Sequence, residues 1–187
     1  MSRHADPEDA RSRRVTRRLL FEVHWIRSEE VALRRLDGLD HIGLDFFKVA
    51  HAALLGDRLI RLVRVFEDSR RIASFWYLHS CRPSEVEALL RDTPMTLAGL
   101  RDLSARLKKV RNKTFVHIDK RGVFNPAAIY QDAAIKATQL EKGVEALWCV
   151  LNRLHGNLVG STFQADEYTG DDIARLHAHH LSARRKK

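Results

Sequence analysis

Apolar residues recur at steps of three and four along most of this chain, which is the period of amphipathic α-helices rather than of strands. One such segment runs from about residue 7 to residue 36, and another from about residue 40 to residue 68. The second segment is apolar around most of its circumference, which is typical of a helix at the centre of a bundle. Further helices are predicted over about residues 71–79, from Ser84 to the residues before Pro94, from about Thr96 to Asp119, over about 125–155, and from Asp171 onward.

Local signals indicate how these helices are delimited. Ser84 and Glu87 have the spacing of a capping box at a helix start, and residues 156–170 have the composition of a loop. The chain has no strand pattern and no internal repeat, so we predict an all-α antiparallel bundle of four to six helices with short connections. We place the bundle in residues 1–160 and a short helix with a basic tail in residues 161–187.

The composition narrows the class of protein. With 187 residues, 44% of them hydrophobic, the chain is long enough for one domain with its own core. No apolar run reaches the length of a membrane span, and the first residues lack the apolar region of a secretory signal. Cys81 and Cys149 are too few for a disulfide framework, and their spacing is not that of a metal site. We therefore expect a cytoplasmic protein without a membrane partner.

The positive charge of the chain is concentrated in one segment. The formal net charge is +9, which favours an anionic partner. Residues 101–121 account for +6 of it, since eight basic side chains there are opposed only by Asp102 and Asp119. The eight are Arg101, Arg106, Lys108, Lys109, Arg111, Lys113, Lys120 and Arg121. A solvated basic face without a ligand is the alternative interpretation.

The helix that begins near Thr96 has an arginine where its apolar stripe predicts a buried residue. The stripe consists of Leu100, Leu103, Leu107, Val110, Thr114 and Ile118. At about 100° per residue, Arg111 projects close to the middle of this stripe. An unpaired guanidinium buried there would cost several kcal/mol. Arg111 must therefore meet a carboxylate or face a groove that accepts an anion.

His117 follows at the edge of the same stripe and supplies a group that titrates near neutral pH. An imidazole can transfer a proton, and a guanidinium can hold the charge of a phosphate. Together they are suited to chemistry on a phosphodiester. On a straight helix the two residues lie about 9 Å apart along the axis. Their tips converge if the helix bends, or if a second copy of the chain crosses the first in a symmetric dimer.

The string Arg111-Asn112-Lys113-Thr114-Phe115-Val116-His117-Ile118-Asp119 resembles the signature of HEPN domains, and in particular the abortive-infection branch associated with bacterial defence against phage. The string Leu-Val-Arg-Val-Phe-Glu-Asp at residues 62–68 resembles the same branch, and the resemblance covers about residues 10–160. The bare spacing of Arg and His recurs elsewhere in this arginine-rich chain, for example at Arg18 and His24. Only Arg111 is followed by an amide and a lysine.

The resemblance implies a metal-independent endoribonuclease that uses no cofactor and cuts RNA through attack by the ribose 2′-hydroxyl, a group that DNA lacks. His117 would act as general acid or base, Arg111 would stabilise the phosphate charge, and Asn112 would orient either group. The candidate substrate-binding residues are Lys113, Lys109, Lys120, Arg58 and Arg61. The resemblance further implies a homodimer, a role as a toxin or phage-defence effector, and a cognate antitoxin as a possible partner.

Other interpretations stay open at the level of sequence. The chain can be a non-catalytic dimerisation module that binds RNA or a nucleotide, or an antitoxin-like partner whose basic segment binds an acidic protein. Arg111 can be paired with a buried carboxylate while His117 caps the helix. His177, His179 and His180 can ligate a transition metal, although we expect a surface cluster without metal. Trp25, Trp76 and Trp148 are predicted to be core residues rather than stacking platforms for bases.

Overall fold

The computed structural model describes residues 7–37, 39, 45–69, 72–113 and 131–184. All of the regular structure in these ranges is helical, which confirms the all-α prediction. In chain order the helices are α1 (Pro7–Asp37), α2 (Asp45–Phe66), α3 (Phe75–Cys81), α4 (Pro83–Leu90), α5 (Leu97–Arg111), α6 (Ala137–Val159) and α7 (Asp171–Arg184). Residues 131–133 are helical as well. No helix in the described ranges is both long enough and apolar enough to span a membrane.

The bundle is built around α1, which packs against α2 on one side and α6 on the other. Contacts between α1 and α2 join Asp37 to His51 and Glu22 to Arg61, so these helices are antiparallel. Contacts between α1 and α6 join Arg34 to Glu141 and His24 to Trp148, so this pair is antiparallel too. The shared core includes Leu20, Val23 and Ile26 of α1, Val65 and Phe66 of α2, Leu100, Leu103 and Leu107 of α5, and Leu147, Val150 and Leu151 of α6.

Arginine side chains form a half-buried polar seam between α1 and α2. Arg61 Nη1 donates to Glu22 at 2.7 Å, and its Nε donates to Glu29 at 3.1 Å and Asp57 at 2.8 Å. Arg58 pairs with Glu30 of α1 at 2.7 Å. Arg58 and Arg61 of the second helix therefore face α1, where Glu22, Glu29 and Glu30 neutralise them.

Several helix limits differ from those predicted. Thr96 caps α5 as expected, its hydroxyl accepting the N–H of Gly99 at 3.2 Å. The capping box at Ser84 is wrong, since α4 starts one residue earlier at Pro83, whose fixed φ suits a first helical position. The single helix predicted over 125–155 is also wrong. Ala134 has a φ of 51°, which is left-handed backbone, and α6 starts only at Ala137.

The first half of α2 is not central, contrary to the sequence prediction. Phe46 is 72% exposed and Val49 67% exposed, and Leu55 is exposed as well. The second half of α2, from Leu62, is buried in the main core, whereas in the first half Phe47 packs in a smaller cluster with Ala32, Leu36 and Ile173. Phe46 and Val49 lie outside both clusters and form an uncovered apolar surface.

The C-terminal segment packs on the bundle. The ring of Phe163 makes edge contacts with Phe21 and Trp148, and Ile173 of α7 packs with Ala32 and Leu36 of α1. Residues 161–184 thus cover one side of α1 and α6. Of the three tryptophans predicted to be core residues, Trp76 is buried and Trp148 is half-buried, but Trp25 is 51% exposed.

Helices α5 and α6 approach each other closely at Gly143. A Cβ atom there would lie 2.6 Å from Leu103 Cδ2 and 3.3 Å from Phe66 Cζ. We expect Gly143→Ala to lower the free energy of unfolding by about 1–3 kcal/mol, because overpacking a tight contact outweighs the better helix propensity of alanine. Urea denaturation measures this difference.

Gly156→Ala is the matched control on the same helix. A Cβ at Gly156 meets nothing within 4 Å, so we expect this variant to gain about 0.5 kcal/mol from helix propensity. Equal stability of the two variants would contradict the close approach at Gly143.

The α1–α2 seam makes stability depend on pH. Burial and the neighbouring Asp57 carboxylate raise the pKa of Glu29 from 4.5 to about 7, although Arg61 opposes the shift. Between these values the folded protein holds a proton that the unfolded chain has lost, so stability falls as the pH rises. We expect Glu29→Gln to be more stable than the wild type at pH 8, on the order of 2 kcal/mol, and to differ little at pH 4.5. Urea denaturation of both proteins between pH 4.5 and pH 8 measures this difference in stability. A difference that does not change with pH would contradict the raised pKa of Glu29.

Candidate functional site

Arg111 is the last residue of α5, and its guanidinium is held from two directions. Nη1 donates to Glu67 Oε1, one residue beyond the end of α2, in a close ion pair. Nε and Nη2 both donate to the side-chain oxygen of Asn112, at 3.1 Å and 3.0 Å. The Arg111 and Glu67 side chains are 27% and 19% exposed. The carboxylate that the sequence requires for Arg111 therefore exists, but the pair reaches the surface.

The backbone changes from α-helical to π-helical directly after Arg111. Asn112 and Lys113 have π-helical backbone, and the Asn112 N–H contacts the carbonyl oxygens of Lys108, Lys109 and Val110. Such widened turns are frequent at functional sites in proteins. Here the turn places the Asn112 amide beside the Arg111 guanidinium. Neither the apolar stripe of the helix nor the spacing of Arg111 and His117 in the sequence predicts this contact.

Arg111 lines a cavity of about 180 Å³ between the end of α2 and one side of α5. Glu67 and Asp68 line one wall, and Arg101, Ser104 and Lys108 line the other. A second cavity of about 350 Å³ shares Asp68 and Arg101 with the first and extends to Trp76 and His79. We call the two together the α5 groove, which runs from Arg111 past Lys108 and Arg101 to His79.

The charges of the α5 groove are unevenly paired. Arg111 is neutralised by Glu67. Within the described ranges, no carboxylate lies at ion-pair distance from Arg101 or Lys108. These two cations can bind an anion without first breaking an ion pair within the described part of the protein.

The structure brings together only part of the predicted site. Arg111 and Asn112 are in contact. Lys113 donates to Asp132 at 3.2 Å. Lys109, which the sequence places among the substrate-binding residues, is exposed but does not line the α5 groove, so it is not part of this candidate site. His117 and Lys120 lie outside the described residues.

Arg58 and Arg61 are a correction to the predicted site. Both are engaged with carboxylates of α1, and neither lines the α5 groove. Sequence reasoning placed them on a polar row without showing which way that row faces. Conversely, it assigned no role to Glu67, which belongs to the quoted string at residues 62–68, or to Arg101. The adjacent carboxylates Glu67 and Asp68 at the end of an apolar helix were the available signal for Glu67.

A further cavity and the possible metal ligands were the other candidates for a functional site. A cavity of about 750 Å³ lies between α1, α6 and residues 165–168. Its arginines are already paired, Arg34 with Glu30 and Glu141, and Arg27 with Glu145 while it stacks on Trp148. Among the described side chains, no group of three His, Cys, Asp or Glu residues has the geometry of a metal site.

Comparison of the chain with protein-family models, with curated proteins and with solved structures finds no match. The resemblance to HEPN domains therefore rests on the two strings named above, residues 62–68 and 111–119. In the folded chain the ends of these strings meet, since Glu67 belongs to the first and Arg111 to the second.

The ion pair between Arg111 and Glu67 is testable as a stability contact. We expect a double-mutant cycle with Arg111→Gln and Glu67→Gln to give a coupling energy of about 1 kcal/mol, because both side chains are more than half-buried. The matched control is the cycle of Arg153→Gln with Asp92→Asn, whose side chains are 48% and 72% exposed at a separation of 3.1 Å. An exposed pair of this kind contributes little. Equal coupling in the two cycles would contradict a buried role for the Arg111 pair.

Proposed function

We propose that this protein is a metal-independent endoribonuclease of the HEPN type, which cuts RNA by attack of a ribose 2′-hydroxyl on the adjacent phosphate. One observation supports this most directly. Arg111 and Glu67, from the two segments that carry the resemblance, meet at an open cavity. Among the described residues, the other cations of this cavity, Arg101 and Lys108, have no carboxylate at ion-pair distance. A guanidinium fixed at the rim of such a cavity is suited to hold a phosphate.

Arg111 has enough N–H groups to bind a phosphate while it keeps its contacts within the protein. A guanidinium has five N–H groups. In the described part of the chain, Asn112 accepts one from Nε and one from Nη2, and Glu67 accepts one from Nη1. One N–H on each of Nη1 and Nη2 is left for the oxygens of a phosphate. Glu67 and Asn112 would thus be positioning residues that fix the orientation of the guanidinium.

In the proposed reaction His117 takes the proton from the 2′-hydroxyl or gives one to the leaving 5′-oxygen. Arg111 stabilises the negative charge that develops on the pentacoordinate phosphate. Lys113 and Lys120 lie four residues before and three residues after His117 in the sequence, and in this proposal they bind phosphates of the strand. No step needs a metal ion, and the need for a 2′-hydroxyl selects RNA over DNA.

We further propose that the protein acts as a homodimer, as a toxin or phage-defence effector, with a cognate antitoxin as a possible partner. The uncovered apolar surface of α2 around Phe46 and Val49 supports a partner chain, since contiguous exposed apolar surface is typical of interfaces. A second copy would bring a second Arg111 and His117 to the same assembly.

A non-catalytic RNA-binding module is the second candidate function. The ion pair with Glu67 favours it, because a neutralised guanidinium stabilises additional phosphate charge less strongly than a free one. In this case the α5 groove holds an RNA strand without cutting it.

We expect the purified protein to cleave a labelled RNA in the presence of EDTA and to leave 2′,3′-cyclic phosphate ends. His117→Ala should lose at least 100-fold in rate, because general acid–base catalysis contributes about 10²–10⁴. Arg111→Ala should lose a comparable factor through electrostatic stabilisation of the phosphate. Lys109→Gln is the matched control and should cleave normally, since Lys109 lies outside the groove.

Three results would count against this function. Cleavage unchanged in both variants would mean that another protein does the cutting. Cleavage abolished by EDTA would exclude the metal-independent mechanism. RNA binding without cleavage, at equal affinity in wild type and His117→Ala, would establish the binding module instead.

A further inference from the structure

The α5 groove continues well beyond Arg111. Arg101 lies ten residues earlier on α5, which is about 15 Å along the helix axis. It lines both cavities of the groove, and Lys108 lies between it and Arg111. Three cations are thus arranged along one side of one helix.

Arg101 is held in a way that leaves its hydrogen-bond donors available. Its guanidinium carbon lies 5.0 Å from the centroid of the Trp76 ring, which is the geometry of a cation–π contact. Trp76 is itself fixed, since it is buried and its indole N–H donates to Phe66 O at 3.1 Å and Ser104 Oγ at 2.8 Å. A cation–π contact with a ring face does not occupy the N–H groups of a guanidinium, so they remain free to bind an anion.

Arg106 of the same helix provides the contrast. Its Nε donates to Asp102 at 2.8 Å and its Nη1 donates to the carbonyl of Ala134 at 2.9 Å, so the Arg106 guanidinium is held within the protein. Arg101 is exposed and, in the described part of the chain, has no carboxylate at ion-pair distance. An aromatic surface rather than a carboxylate therefore holds Arg101 in place, and its full charge faces the groove.

We propose that Arg101, together with Lys108, forms a second phosphate-binding subsite for the RNA strand that flanks the bond held at Arg111. That the bound strand is RNA rests on the function proposed above. At the rise of about 3.4 Å per nucleotide of a stacked strand, 15 Å corresponds to about four nucleotides. An oligonucleotide of eight nucleotides is therefore long enough to occupy Arg101 and Arg111 together.

The test uses fluorescence anisotropy with a labelled octauridylate whose riboses carry 2′-O-methyl groups, so that the strand binds without being cut. For a single strand, each phosphate contact contributes about 0.7 to the slope of log Kd against log salt concentration. We expect Arg101→Gln to bind about fivefold more weakly than wild type at 0.1 M salt, with a slope smaller by about 0.7. Arg101→Lys should keep the wild-type slope, because it keeps the charge.

Lys109→Gln is the matched control, since it removes one charge from the same helix outside the groove. Equal losses of affinity in Arg101→Gln and Lys109→Gln would show only an effect of net charge and would overturn the subsite.

Normal cleavage by wild type with no effect of Arg101→Gln on binding would overturn the subsite and leave the nuclease assignment intact. An Arg101-dependent slope without any cleavage would support the subsite and remove the nuclease. No binding by the wild type at 0.05 M salt would overturn both.

Discussion

The close approach of α5 to α6 is the contact on which the candidate site depends. Gly143 has no side chain, and Leu103 and Phe66 fill the space that a Cβ would need. This contact seats α5 in the core between the end of α2 and α6. Because α5 is seated there, its last residue, Arg111, comes within reach of Glu67 just beyond α2. A packing constraint at one end of the core thus sets the position of a charged group at the surface.

The structure divides the arginines into two populations. Those of α2 at Arg58 and Arg61 are matched by acidic residues of α1, so they bind the bundle together and contribute little free charge. Those of the α5 groove have one matching carboxylate at Glu67, and Arg101 is held by an aromatic ring instead. Total net charge cannot distinguish these populations, because pairing depends on which helix faces which.

The sequence prediction succeeded where local periodicity decides the outcome. The all-α class, the start of α5 at its Thr96 cap and the burial of Leu100, Leu103 and Leu107 all follow from a repeat that one helix imposes on itself. The sequence prediction failed where packing against another helix decides the structure. The break at Ala134 interrupts a segment with continuous apolar periodicity, and the apolar first half of α2 lies outside the core. For the site, the argument from an unpaired buried charge correctly required a partner for Arg111 but could not name Glu67.

By itself, therefore, the sequence determined the helices, most of the apolar stripes they bury, and the need of Arg111 for a compensating group. Those properties depend on residues within a few positions of each other, and on the cost of burying charge. Only the tertiary structure decided that Glu67 and Asn112 hold Arg111, that Arg58 and Arg61 belong to the α1–α2 seam, and that Arg101 rests on Trp76 at the far end of the same groove. Those pairings join residues 25 to 44 positions apart, except at Asn112, and side chains so distant in the chain meet only when the helices are packed.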